Sequence, residues 1–171
     1  MTKSNYWRLI ADNLCIAHFF AQNCIDEISN LSYEDYLENH RLRLSLQFSI
    51  AKIGDCLSQI KIYSGKIFND SSVSDYNKSM IFLNRITYPW NSIIQTRNIV
   101  VHSYHSIDNK TIYEILINDI PSLIESLKLL ENEPELEEYL QDSFEYADNV
   151  VFHPERLDVD YQNIEFESPS P

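Results

Sequence analysis

P-W-N-S-I-I-Q-T-R-N-I-V-V-H-S-Y, residues Pro89 to Tyr104, poses the question on which this chain turns. Proline suits the first position of a helix, where its missing N–H costs nothing. Ile93, Ile94, Ile99, Val100 and Val101 supply an apolar helix, yet Arg97, Asn98, His102 and Tyr104 interrupt it. A helix that only packs has no use for such a set. Either these side chains face water by accident or they form a site. The turn chemistry of I-D-N-K, residues 107–110, ends this helix near Ser106.

Apolar periodicity extends to both sides of the stretch. Ile10, Leu14, Ala17, Ala21, Ile25 and Ile28 recur at spacings of three and four, predicting a first helix from about Asn5 to Ser29. Ser32-Tyr-Glu-Asp35 reads as a capping box that opens a second helix. Leu46, Ile50, Ile53, Leu57 and Ile60 form its seam, and Gly65 is placed to end it. Lys66 to Ser74 has the composition of a loop, and a shorter helix is expected over about Asp75 to Ile86. The last core helix begins near Asp108 or Asn109. Its stripe is Ile112, Leu116, Ile120, Leu123, Leu127 and Leu130, and Pro121 should kink or interrupt it. Pro134 opens a short acidic helix with Leu136, Leu140 and Phe144 on one side. From about Asn149 an extended or disordered segment is expected.

The predicted fold is all-α. It is an antiparallel bundle of four main helices with a short extra helix and an acidic C-terminal tail. The expected division is a helical domain over residues 1–130 and an extension over 131–171. Only two glycines and a 44% hydrophobic content argue against disorder and against a turn-rich β fold.

The net charge of −13 is unevenly placed. Residues 1–130 hold 12 Lys+Arg against 13 Asp+Glu, a balance of −1, whereas residues 131–171 hold 1 against 13, a balance of −12. A nucleic-acid partner for the nearly neutral body is therefore not excluded by the total. The tail is readable as a solubility appendage, a docking segment for a protein partner, or a competitor for a basic cleft.

Cys15, Cys24 and Cys56 are odd in number and lack C-x-x-C spacing. They read as reduced, mostly buried thiols of a cytoplasmic protein rather than as disulfides or zinc ligands. Asp12, Asn13 and His18 interrupt the most apolar early segment, which reads neither as a membrane span nor as a signal peptide.

Arg97 and His102 are five positions apart, so on a regular helix they point roughly 140° away from each other. They can converge if the helix unwinds near His102. They can also converge with the same residues of a second subunit across a two-fold axis. Metal-independent RNA cleavage is the chemistry that wants this set. Imidazole exchanges protons near neutrality, and a planar guanidinium meets phosphate with two parallel hydrogen bonds. No cofactor or metal is called for. His105 makes an H-x-x-H pair with His102, but no carboxylate stands at ligand spacing.

The run Arg97-N-I-V-V-His102-S-Tyr104 resembles the R-x4-H-x-Y signature of the HEPN superfamily. With W-N-S-I-I-Q before it and N-D-I-P-S-L-I after it, the chain is similar to the HepT-like (DUF86) branch over roughly residues 33–130. A-K-I-G-D-C, residues 51–56, matches that branch's I-G-E-A only in part, with Asp55 at the acidic position and Cys56 in place of alanine.

The resemblance implies a helical homodimer with a ribonuclease cleft between protomers. Arg97 and His102 would be catalytic and Asn98 the supporting polar residue. It implies the toxin of a type VII-like toxin–antitoxin pair acting on tRNA or mRNA. The partner would be an MNT-type nucleotidyltransferase antitoxin that transfers AMP to Tyr104. The alternative is a catalytically silent helical adaptor that binds a nucleotidyltransferase, a nucleotide or RNA.

Other residues have simpler readings. His18 reads as a satisfied core histidine, and Trp7 and Trp90 as packing anchors. Arg41, Arg43, Lys52, Lys61, Lys66 and Arg85 read mainly as solvated faces, with an RNA groove as the sharper alternative.

Overall fold

The structure, a computed structural model, describes residues 2–69, 89–102 and 108–152. Every regular element among them is helical. Helix α1 (Lys3–Ile28) begins at Thr2, whose side chain accepts from the Asn5 N–H. Ile10, Leu14, Ala17, Ala21 and Ile28 are buried along its stripe; Cys24 is buried too, and Ile25 is only partly covered.

The second predicted helix is two helices. The Ser32–Asp35 capping box is present at the start of α2 (Tyr33–Glu38). The chain then breaks at Asn39 (φ −90°, ψ 86°), and α3 (His40–Asn69) follows. Asn39 Oδ1 accepts from the Leu42 N–H at 3.1 Å, so this residue serves as the cap of a new helix. Gly65 does not end α3, which continues to Asn69. A glycine inside a helix costs up to about 1 kcal/mol, too little to stop a helix held by its packing. The seam Leu46, Ile50, Ile53, Leu57 and Ile60 is buried throughout. The predicted helix over 75–86 lies outside the described residues, as does Arg85.

Helix α4 (Trp90–His102) carries the motif, and Pro89 immediately precedes it, one position earlier than predicted. Trp90 is fully buried, and its Nε1–H donates to Ser126 Oγ at 2.9 Å. That hydroxyl in turn donates to the Leu123 carbonyl, so the indole is a packing anchor with its one polar group satisfied.

Asp108 caps α5 (Asn109–Glu114), accepting from the Lys110 N–H and the Thr111 hydroxyl. A π-helical turn, Ile115–Asp119, joins it to α6 (Ile120–Glu131). Pro121 has no N–H and crowds the carbonyl four residues back. The widened turn, in which the Ile120 N–H reaches Ile115 O, accommodates it without breaking the rod. All six residues of the predicted stripe are buried.

The acidic helix α7 (Pro134–Phe152) runs beyond the predicted limit near Asn149. It packs along α1: Leu136, Ser143 and Ala147 are buried, and Ser143 Oγ donates to Asp12 Oδ1 at 2.7 Å. Helix α1 thus lies against α3, α6 and α7, while α4 lies along the other side of α3.

Candidate functional site

Helices α3 and α4 run antiparallel in contact. Gly54 lies beside Ile93 and Arg97, and one turn or two along, Lys61 Nζ donates to Asn91 Oδ1 at 2.9 Å. Gly54 is required there. A Cβ on it would overlap Arg97 Cβ, and would stand 3.0 Å from Arg97 Cγ and 3.2 Å from the Ile93 carbonyl oxygen. The close approach fixes where the arginine side chain starts.

Asp55, the next residue, fixes where it goes. Arg97 Nε donates to Asp55 Oδ1 at 2.5 Å, and Arg97 Nη1 donates to Asn98 Oδ1 at 3.0 Å. The arginine side chain is 28% exposed and that of Asp55 47%, so the pair lies at the surface with the guanidinium the more covered partner. Among the described residues nothing accepts from Nη2. A partly exposed guanidinium with unused N–H groups is the kind of donor set with which an arginine meets a phosphate.

His102 is exposed at the end of the described part of α4. The helix is regular from Arg97 through His102, so unwinding ahead of His102 does not bring the two side chains together within one chain. Tyr104 and His105 lie outside the described residues. The structure thus brings together Arg97, Asn98 and Asp55, and leaves His102 on a different side of the same helix.

Sequence reasoning missed a role for Asp55, although the I-G-D spacing was its signal. It also missed Asp119. The π-helical turn carries that carboxylate to α4, where Ser92 Oγ donates to Asp119 Oδ2 at 2.6 Å.

Apolar side chains stand exposed on both helices of the site. Phe48 (64%), Leu44 and Ile62 lie on α3 in the same face as Asp55, and Ile99 (44%) and Val101 (48%) lie on α4. Leu44, Phe48, Asp55 and Ile62 follow one another at spacings of four, seven and seven, so the three apolar side chains share one exposed stripe of α3.

The chain belongs to a known family. A family model described as ribonuclease HepT-like matches residues 21–130, nearly two thirds of the chain and all of the motif helix. This is a member of the HepT-like family. Comparison with curated proteins and with solved structures gives no match. In this HepT-like chain the family-matched region reaches from α1 to the end of α6, so α7 stands outside it although packed on it.

The remaining candidates are structural. His18 Nδ1 lies 2.6 Å from Glu131 Oε1, a partly covered pair that ties α1 to the end of α6. The histidine is satisfied, as read from the sequence, but at the edge of the core rather than in it. A pocket between α1 and α7 is lined by Cys15, His18, Phe19, Gln22, Phe144 and Ala147, none of them in the Arg97 set. Burial pushes the thiols of Cys15, Cys24 and Cys56 up to about 12, which keeps them protonated and unreactive near neutrality. Arg43 Nη1 donates to the Tyr36 carbonyl, and Lys66 sits over the Tyr6 ring, so these two cations are engaged locally. Among the described residues no helix is long and apolar enough to cross a membrane, and no group of three His, Cys, Asp or Glu could hold a metal.

Proposed function

We propose that this HepT-like protein is a metal-independent endoribonuclease acting as a symmetric homodimer. The observation that carries the reading is the Arg97 guanidinium, partly exposed at the surface of α4 and held there by Asp55 and Asn98. His102 is exposed further along the same helix. A two-fold axis beside α4 would set two arginines and two histidines around one RNA phosphate. The exposed stripe of Leu44, Phe48 and Ile62, on the same face of α3 as Asp55, supports burial of this face against a second copy.

One imidazole takes the proton of the 2′-hydroxyl as its oxygen attacks phosphorus. The bond from phosphorus to the 5′-oxygen breaks, and the second imidazole, protonated, gives that oxygen its proton. The products are a 2′,3′-cyclic phosphate and a 5′-hydroxyl. Arg97 offsets the charge that grows on the phosphoryl oxygens. DNA lacks the attacking hydroxyl and should be inert.

The protein is read as the toxin of a pair whose MNT-type nucleotidyltransferase transfers AMP to Tyr104. An adenylate two residues from His102 would put a bulky anion within reach of Arg97. The deciding experiment incubates the purified protein with total tRNA and with a synthetic mRNA in EDTA, beside Arg97→Ala and His102→Ala. Cleavage by the wild type alone, with cyclic-phosphate ends, is the expected result. A dimeric, unmodified protein that leaves both RNAs intact would instead favour the adaptor.

A further inference from the structure

We infer that Asp55 is a positioning residue for Arg97, setting which edge of the guanidinium an RNA phosphate meets; this rests on the ribonuclease reading above. The Asp55–Arg97 pair is not explained by stability. A carboxylate 47% exposed is well solvated, and ion pairs of that kind contribute little to folding. Its geometry is specific nonetheless. Gly54 holds the two helix backbones close, so that the carboxylate of the following residue meets Nε, at the inner end of the guanidinium.

A guanidinium has five N–H donors and two edges on which an oxyanion can chelate. One edge uses Nε and Nη2, the other Nη1 and Nη2. Asp55 occupies the first by taking Nε, so a phosphate is met through the Nη donors that Asp55 and Asn98 leave, those of Nη2 and the second proton of Nη1. Asn98 takes a proton of Nη1 and limits rotation about the remaining torsions. Without Asp55 the arginine keeps its charge but loses its orientation, and a misplacement of about 1 Å at a reacting group can cost about 100-fold in rate.

Loss of the carboxylate also removes a negative charge beside the phosphate, which by itself would favour binding. Two variants separate these effects. Asp55→Asn and Asp55→Ala lose the same charge, but only asparagine keeps an acceptor for Nε. The measurements are kcat and KM for RNA cleavage, and affinity for a non-cleavable 2′-O-methyl oligonucleotide, with melting temperature as the control for folding.

Positioning predicts that Asp55→Ala loses about 100-fold, mostly in kcat. Asp55→Asn should stay within about tenfold of wild type, and the oligonucleotide should bind more weakly to the alanine variant than to the asparagine one. Equal behaviour of the two variants, or an alanine variant as good as or better than wild type, would overturn the inference. If wild type binds the oligonucleotide but cleaves no RNA, the ribonuclease reading falls while the alanine–asparagine difference in affinity still decides the role of Asp55. If wild type neither binds nor cleaves, both are wrong.

Discussion

Gly54 of α3 lies so close to Arg97 of α4 that a methyl group on the glycine would overlap the first carbon of the arginine side chain. The obstruction is not the far end of a flexible chain. It is Arg97 Cβ and Cγ with the Ile93 carbonyl oxygen behind them, so relief requires the two helices to part.

The other glycine of the chain makes the matching control. Gly65 also lies inside α3, with nothing within 4 Å of an added Cβ. Alanine is favoured over glycine in a helix by roughly 0.5–1 kcal/mol. Gly65→Ala should therefore raise stability by about that amount. Gly54→Ala, despite the same helical gain, should lower it by about 1–3 kcal/mol through overpacking and should depress RNA cleavage by moving Arg97. Urea unfolding of the two variants checks both signs. A stabilised Gly54→Ala protein would show that α3 and α4 are less tightly apposed.

Most of the fold was legible because it follows from apolar periodicity. The seam from Leu46 to Ile60 and the stripe from Ile112 to Leu130 are buried as their spacing required. The break at Asn39 was missed because a capping residue inside a long helical pattern competes with the seam around it, and here the cap prevailed. Gly65 misled for the opposite reason, since packing on both sides outweighs one residue's propensity. Within the candidate site, Arg97, Asn98 and His102 are neighbours in sequence and could be read as a motif. The partnership of Arg97 with a carboxylate 42 residues away could not, because it depends on how closely two helices approach.

The Trp90 indole gives a second prediction. Its N–H has Ser126 Oγ as partner in a buried setting, and Ser126 itself satisfies the Leu123 carbonyl. Ser126→Ala leaves a buried donor without an acceptor and should cost about 1–3 kcal/mol. Trp90→Phe removes the donor but also shrinks the largest side chain of the core, so it should cost more through the cavity it leaves. Melting curves would order the variants; an alanine variant as stable as wild type would mean that the indole finds another acceptor.

Acid should weaken two helix starts together. The Ser32 hydroxyl and backbone N–H hold the Asp35 carboxyl below its ordinary value, and the Thr111 hydroxyl with the Lys110 N–H does the same for Asp108. Both groups bind protons less readily folded than unfolded. Their contribution is therefore present above the unfolded value of about 3.9 and is lost as pH falls through the lower folded values. The double variant Asp35→Asn/Asp108→Asn keeps acceptors that do not titrate. Its melting temperature should lie below wild type at about pH 5, and the gap should close by about pH 2. A gap constant across that range would exclude the two caps as acid-labile points.

The acidic extension is the last test, because its helix is built into the bundle. Leu136, Ser143 and Ala147 of α7 are buried against α1, the Ser143 hydroxyl bonds Asp12, and Glu131 pairs with His18. Removal of residues 131–171 would expose that face of α1. Burial of Leu136 alone contributes about 1.5–3 kcal/mol, so the loss with its neighbours should reach at least about 3 kcal/mol. Truncation after Phe152 keeps all of these contacts and removes five of the acidic residues with Arg156. It should therefore melt like the full chain, and any rise in RNA cleavage by this shorter protein would report competition by its acidic residues rather than damage to the fold. If removal from residue 131 onward leaves the melting temperature unchanged, α7 is an appendage after all, and the bundle is complete at the end of α6.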